Sequence, residues 1–382
     1  GLFELANDVG SLSPLLQSGL KIGRQVAFTA TYGGSSFNLY AGRIKSIATK
    51  PALGQRVSVI EALSDISRFA KTRFSSGIFT AINAASLFTE IATRCAVASF
   101  TADVLNDSVD FAWFQDSNAG TSLDKLIKSG YYQGYVDGAG TLQLKSRYWG
   151  AFNISVATLD VQASDLNYAL SDAGIVNRVS THAIPRQQSS TISTLCYLSQ
   201  PLMIQASAYA GFFLGFLDPR DSQTPTPVGS IVALVSSQDY YASANSDGTG
   251  TNNTATLSLN FSAFGESIVC SIFNGTGNNT WLTRFQVRGY PILNGAELAT
   301  FYNDSSSQNT YGLNEISFDD NWITNYGYLR DLATAIVLDR REPRHKFSAT
   351  MINEFPANLQ YDVGTVLSIV NSKFPFTKTG VD

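Results

Sequence analysis

The chain has 382 residues, 44% of them apolar and 15% charged, with a formal net charge of −4. That length points to two to four domains and the apolar share is ample for cores. The low charge argues against a disordered chain and against long solvated helices, and the weakly acidic balance (pI about 5.3) offers no global basic field for gripping nucleic acid. Three well-separated cysteines and two histidines, with no C-x-x-C pair, leave a zinc or iron–sulfur site without a ligand set.

Residues 1 to 19 read as an apolar lead-in, with Leu2, Leu5 and Val9 on a helical turn and Ser11 to Gln17 irregular around Pro14. The chain starts at Gly1 with no charged n-region, so no signal peptide is visible. From Gln25 to Tyr32 apolar side chains alternate, Gly33-Gly34 makes a hairpin turn, and Phe37, Leu39, Ala41, Ile44 and Ile47 resume the alternation. Gly42 permits a kink, Pro51 to Gly54 turns the chain again, and Val57 and Val59 begin a third strand before a short helix at Asp65 to Ala70. Three such strands make most of a small antiparallel barrel.

Ile78 to Ala98 carries an approximate helical period through Phe79, Ile82, Leu87, Phe88, Ile91 and Cys95. A turn-rich stretch around Asn106-Asp107-Ser108 follows, then a helix from Leu123 to Ser129, capped by Thr121 or Ser122 and ended by Gly130. Tyr131 to Val136, Asp137 to Gly140 and Thr141 to Tyr148 form a hairpin, and Leu123, Leu126 and Ile127 cover one of its faces. The Asp137-Gly138 turn lacks the alternating oxygen ligands of a calcium loop. After a short polar stretch from Leu166 to Gly174, Ile175, Val179, Thr181 and Ala183 form a strand closed by Pro185. His182 lies in it with no partner ligand at a matching offset and reads as an ordinary strand residue.

Residues 195 to 288 are dense in short β-type runs: 195–198, 202–205, 211–217, 230–235, 254–261, 267–273 and 280–287. Their linkers are rich in Pro, Asn and Gly, and the spacing suits a β-sandwich. The most apolar run, Gly211 to Leu217, reads as a buried strand. Tyr240, Tyr241 and Trp281 read either as loop aromatics that stack on a sugar or as core and subunit-contact residues. Triplets such as Asn274-Gly275-Thr276 arise freely in an Asn- and Thr-rich chain and carry no glycosylation reading. Beyond a polar linker, Ile316 and Phe318 are strand-like. Asn325 to Arg340 is an amphipathic helix with Leu329, Leu332, Ala333, Ile336 and Val337 inward, ended by Glu342-Pro343. Lys346 to Ile352 is a strand, and Asp362-Val363-Gly364 turns the chain into a last one. The basic residues Arg340, Arg341, Arg344, His345 and Lys346 are interleaved with Asp339 and Glu342 and read as a solvated helix end.

Three features are absent from the sequence: a nucleophile elbow, a P-loop and a metalloprotease motif. Asp103, Asp107, Asp319 and Asp320 are carboxylates without a defined spatial pairing. The expectation is a non-enzyme with no catalytic, cofactor or metal residues and no cofactor. Nor is any segment long and apolar enough to span a membrane as a helix.

Four stretches resemble the tail hub family of bacteriophages and contractile injection machines. These are the segment around Tyr32-Gly33-Gly34 and "LYAGRIKSI"; "SLDKLIKSGYYQGYVDGAGTLQLKSRY"; the Asn-Arg-Val step at 177–179; and "YDVGTVLSI" behind the 325–340 helix. The resemblance covers most of the chain apart from 195–288; with the sandwich read from strand spacing there, the expected fold class is mainly β with α+β parts: two small antiparallel barrels, a helix-plus-hairpin domain and an inserted β-sandwich. The expected domains are 1–74 (first barrel), 75–170 (helix and hairpin), 171–194 with 289–382 (second barrel, split) and 195–288 (inserted sandwich). By resemblance the chain would form a homotrimer at the virion's tail tip or baseplate, assembled in the bacterial host cytoplasm. It would have the tail tube or a distal tail protein above it and a spike, fibre or tip protein below, and would adapt a six-fold tube to a three-fold tip. An alternative is a tail-tip adhesin that binds a host surface glycan through the sandwich. No specific nucleic-acid binding is expected.

Overall fold

The computed structural model describes residues 2–6, 20–52, 55–103, 105, 107–147, 157–160, 167–319, 322, 324–348, 361–371 and 376–379. The expectations for Val9, Ser11 to Gln17, Leu53-Gly54, Asn106, Tyr148, Leu166, Asp320 and Ala349 to Ile352 fall outside them. The fold is mainly β with α+β parts.

The first unit is a four-stranded antiparallel sheet, order β1 (Leu2–Ala6), β4 (Gln55–Leu63), β3 (Ser35–Ala52), β2 (Gln25–Tyr32). The Gly33-Gly34 turn has φ of +57° and +84°, which L-residues with a Cβ rarely adopt, and it sets the β2–β3 register. Gly42 serves close approach instead: a Cβ there would sit 2.5 Å from both the Leu63 carbonyl and the Tyr40 hydroxyl. Leu2–Ala6 is a strand and not the helical turn its leucines suggest, because pairing with 57–61 on β4 outweighs a local pattern only five residues long. It supplies a fourth strand where three were expected. The sheet is a half-barrel.

A short 3₁₀ turn (Asp65–Arg68) leads to the middle unit. There β5 (Arg73–Phe74) pairs with β9 (Ser117–Asn118), and β6 (Phe79–Asn83) with β8 (Ser108–Ala112). The hairpin β10 (Gln133–Val136) and β11 (Leu142–Lys145) adds β7 (Phe100–Ala102) in parallel. Helix α1 is Ala84–Arg94 and α2 is Ala119–Gly130. The expected long helix from Ile78 thus begins as a strand: β6 is held by β8, and the Asn83 side chain accepts from Ser86 N–H to start α1. Likewise Asn118, not Thr121 or Ser122, caps α2, accepting from the Thr121 N–H at 3.1 Å. Phe69, Leu87, Phe88, Ile91, Phe114, Leu126 and Leu144 form the core, and Trp322 plugs it from the far end of the chain.

In the segment read as short and polar, β13 (Asn167–Ser171) pairs with β26 (Arg344–Ser348), while β12 (Ala157–Asp160) pairs with β27 (Leu367–Asn371) beside β28 (Phe376–Thr379). β14 (Arg178–Ala183) lies between β24 (Leu298–Asn303), antiparallel, and β25 (Glu315–Asp319), parallel. The supposed linker before β25 holds β24 and a short helix, α3 (Ser305–Tyr311). Asn177 ties this corner together while fully buried: its amide donates to the Gly312 carbonyl (2.7 Å) and its side-chain oxygen accepts from Asn314 N–H (2.8 Å). α4 (Tyr326–Arg340), capped by Asn325, buries Leu329, Leu332, Ala333, Ile336 and Val337 against Val176 and Val179, the face read from the sequence.

The sandwich has two sheets. One is built on β23 (Thr280–Asn294), which pairs with β15 (Arg186–Gln188), β16 (Ser193–Tyr197), β17 (Leu202–Ile204), β19 (Val228–Ile231) and β20 (Tyr240–Ser243). The other has the order β18 (Tyr209–Gly215), β22 (Ser267–Asn274), β21 (Leu257–Ala263). Residues 254–256 form a 3₁₀ turn before β21 and not part of a strand. Its paired strands run from Arg186 to Asn294, beyond the expected 195–288, because β23 continues past Val287 to pair with β15. Leu195, Phe216, Ile268, Ile272, Leu282 and Phe285 fill the space between the sheets. Asn274 is also buried there and donates to three backbone carbonyls, which is incompatible with its carrying a sugar.

Candidate interaction surfaces

The three aromatics singled out from the sequence are placed on strands, not in loops, and do not form one platform. Tyr240 stands opposite Phe285 and packs on the sandwich core. Tyr241 pairs with Arg284, and Trp281 lies between Met203 and Ser243. β20 is short, and its register shifts between Tyr241 and Ala242, so simple alternation does not reveal it.

The other singled-out side chains are engaged in local hydrogen bonds and ion pairs, and Arg340 also reaches Tyr131 of the middle unit. Asp107 accepts from the Tyr132 hydroxyl at 2.6 Å and lies 3.5 Å from Arg147 Nη1, while Asp103 pairs with Lys145 at 3.1 Å. Burial first, then the neighbouring Tyr328 and Asp107, pushes the Tyr132 phenol well above its ordinary pKa. His182 Nδ1 is 3.0 Å from Glu297. At the end of α4, Arg341 pairs with Asp304, Arg344 with Asp339, and Arg340 donates to the Tyr131 hydroxyl. These basic residues form cross-ties, not a merely solvated end. All three cysteines are buried; desolvation lifts Cys270 to about 11 and, with Cys270 beside it, Cys196 to about 12, so neither thiol is poised to react at neutral pH. Among the described residues no group of three or more His, Cys, Asp or Glu could hold a metal ion, and no helix is long and apolar enough to cross a membrane.

The sandwich docks on the middle unit through a narrow contact. Gly265 N–H donates to the Ser76 carbonyl, Ser267 Oγ lies 3.2 Å from Gln115 Oε1, and the Arg186 guanidinium sits 4.5 Å from the Trp113 ring centre. A Cβ on Gly265 would come within 2.7 Å of the Trp113 Cβ, so only glycine admits this approach without movement. A cavity of about 410 Å³ opens alongside, lined among others by Arg73, Trp113, Lys125, Glu266 and Trp322.

Two surfaces with exposed apolar side chains stand out among the described residues. The first is the half-barrel. β2 is an edge strand, paired only with β3, and has neither a charged residue nor a proline along its eight positions. Phe3, Phe28 and Tyr40 cluster on one face, with the Phe3 and Phe28 rings stacked at 3.5 Å, yet all three stay only half-buried. Nearby Ile22 (72%) and Leu2 (69%) are exposed. The second is the outward face of β18. The run 211–217 is not wholly buried as expected: β18 lies in an outer layer, so Phe213 faces solvent while Phe212 faces the core.

No protein-family model matches the chain, and no curated protein does. Among solved structures, the 43 kDa tail protein of prophage MuSo2 from Shewanella oneidensis is similar at 7% identity and a TM-score of 0.46, covering 99% of this chain and 81% of that one. The prophage tail protein gp18 from Listeria monocytogenes is similar at 8% identity and a TM-score of 0.39, over 93% and 76%. An E. coli component of the type VI secretion system, described as similar in structure to the T4 tail proteins gp27 and gp5, gives 8% identity and a TM-score of 0.28, over 74% and 68%. These three solved structures are two prophage tail proteins and a type VI secretion component.

Proposed function

We propose that the chain is a structural hub of a phage tail, in which copies join around an axis to close the distal end of the tail tube. The observation that carries this reading is the unfinished half-barrel. An uncharged edge strand is a template for pairing, and proteins that must stay monomeric commonly blunt it with charge or proline; β2 has neither, although its ladder with β3 is bulged at Phe28/Thr29. Among the described residues its outer edge is unpaired, and exposed apolar side chains on the same sheet are ones a neighbouring copy would cover. The resemblance of the "LYAGRIKSI" and "YDVGTVLSI" stretches to tail hubs supplies the geometry: three copies, each giving two tube-like units, so that six units meet a six-fold tube while the distal side stays three-fold. Partners are the tube or a distal tail protein above and a spike, fibre or tip protein below, in the virion. The work is interface matching, with no chemical step. Sedimentation velocity on the full chain tests it: a trimer is the expected result, and a monomer at tens of micromolar protein would count against the reading.

A further inference from the structure

β18 reads Tyr209-Ala210-Gly211-Phe212-Phe213-Leu214-Gly215, and its two faces have different tasks. Ala210, Phe212 and Leu214 pack into the sandwich core. Tyr209, Gly211, Phe213 and Gly215 point outward, with Tyr209 75% and Phe213 58% exposed. The register places Phe273, Ser271 and Val269 beside them on β22, and Ser258, Asn260 and Ser262 in the next row on β21. The Tyr209 and Phe273 rings lie 4.8 Å apart at 42°. None of these three strands contains an Asp, Glu, Lys or Arg.

The two glycines are informative because the fold does not require them. Glycine inside a strand is less stable than alanine, and is normally explained by a positive φ or by crowding. Neither Gly211 nor Gly215 has a positive φ. A Cβ at Gly211 would meet only the Cys270 carbonyl at 3.7 Å, and one at Gly215 only the Glu266 carbonyl at 4.0 Å, both ordinary contacts. What the glycines do is leave a low floor between aromatic side chains. The β18–β22 ladder is unbroken, so no bulge accounts for them, and close approach of a ligand to the backbone is one of the remaining uses of a strand glycine.

We infer that this face binds an uncharged saccharide. The C–H faces of its rings stack on the Tyr209–Phe273 pair and on Phe213, and its hydroxyls exchange hydrogen bonds with Ser258, Asn260, Ser262 and Ser271. Tyr209 and Phe213 are about 14 Å apart along the strand, so they serve different units of one sugar chain. A protein partner fits less well: serine is depleted at protein interfaces, which place arginine and methionine beside aromatics, whereas here the polar row is serine and asparagine. Nucleic acid would need cations that these strands lack. The site lies on the opposite sheet from Tyr240, Tyr241 and Trp281.

The test is calorimetric titration of the full chain with neutral oligosaccharides of glucose, N-acetylglucosamine, galactose, mannose and rhamnose, each alone. At least one should bind, with an affinity unchanged by raising the salt concentration about tenfold. Tyr209→Ala and Phe213→Ala should each weaken it about tenfold, and Gly211→Val should do so by raising the floor. Tyr241→Ala and Trp281→Ala should leave it intact. An unchanged thermal midpoint establishes that each variant is folded. Binding to none of these sugars overturns the inference, as does loss of binding with Trp281→Ala alone. A change of oligomeric state in Tyr209→Ala or Phe213→Ala would also overturn it, by giving the face to a second copy. Because trimer formation is read separately by sedimentation, a failure here is distinguishable from a failure of the hub reading.

Discussion

The sandwich and the first sheet are built from similar alternating strands, yet one is finished and the other is not. In the sandwich, β23 is paired along both edges, and two sheets enclose a core in which Ile268, Ile272, Leu282 and Val287 have no exposed surface. In the first sheet Phe3, Phe28 and Tyr40 are only half-covered, and among the described residues β2 pairs only with β3. The difference teaches where each unit finds its stability. The sandwich draws it from its own burial; on the proposed hub reading, the half-barrel would draw much of it from contact with other copies. Exposed apolar surface of this kind marks an interaction site, which is what the hub proposal assigns to it.

The comparison breaks most visibly at the sandwich core. Phe285→Ala removes a ring that meets Phe212 edge-to-face at 5.1 Å and should cost about 3–5 kcal/mol, read by urea unfolding of the full chain. Gly265→Ala should cost about 1–3 kcal/mol by forcing Trp113 aside. The sandwich itself would survive, so a single unfolding transition should split into two. Tyr132→Phe removes the hydroxyl held by Asp107 and should cost about 1–2 kcal/mol of the middle unit's stability.

The Asp239–Arg288 pair gives a pH-dependent term within the sandwich. Arg288 donates to both Asp239 oxygens, at 2.6 and 2.8 Å, and this holds the buried carboxyl below its ordinary pKa. The pair therefore stabilises the fold above the unfolded carboxylate's pKa, near 3.9. That contribution fades as pH falls through the lower folded value. Asp239→Asn should lower the melting point at pH 7 and make progressively less difference in acid. The smallest effect on stability belongs to the edge of the half-barrel. Ala27→Lys with Thr29→Lys, at two exposed positions of β2, should change monomer stability by no more than about 0.5 kcal/mol. The same pair should abolish trimer formation by placing charge along the pairing edge.

Much of the fold is legible in the sequence wherever one signal stands clear of its neighbours. The inward face of α4 follows from its spacing and its Asn325 cap, and the β2–β3 hairpin from Gly33-Gly34. The misreadings have a common cause in short patterns that suit two structures. Leu2 to Ala6 fits a helical turn as well as a strand, and Phe79 and Ile82 match a helix period while β8 pulls them into a sheet. The outward face of β18 stays hidden because Phe212 and Phe213 are equally apolar, and only the second sheet shows which one it covers. Its signal was present in the alternation Tyr209, Gly211, Phe213, Gly215, which is too regular for a strand buried on both faces.

Electron microscopy of the assembled protein, with copies counted around the axis, bears most directly on the hub assignment. Three copies forming a ring of six sheet units, with each β2 edge laid against a neighbouring chain, is the expected result. A different symmetry, or a β2 edge left facing solvent in the assembly, would contradict it.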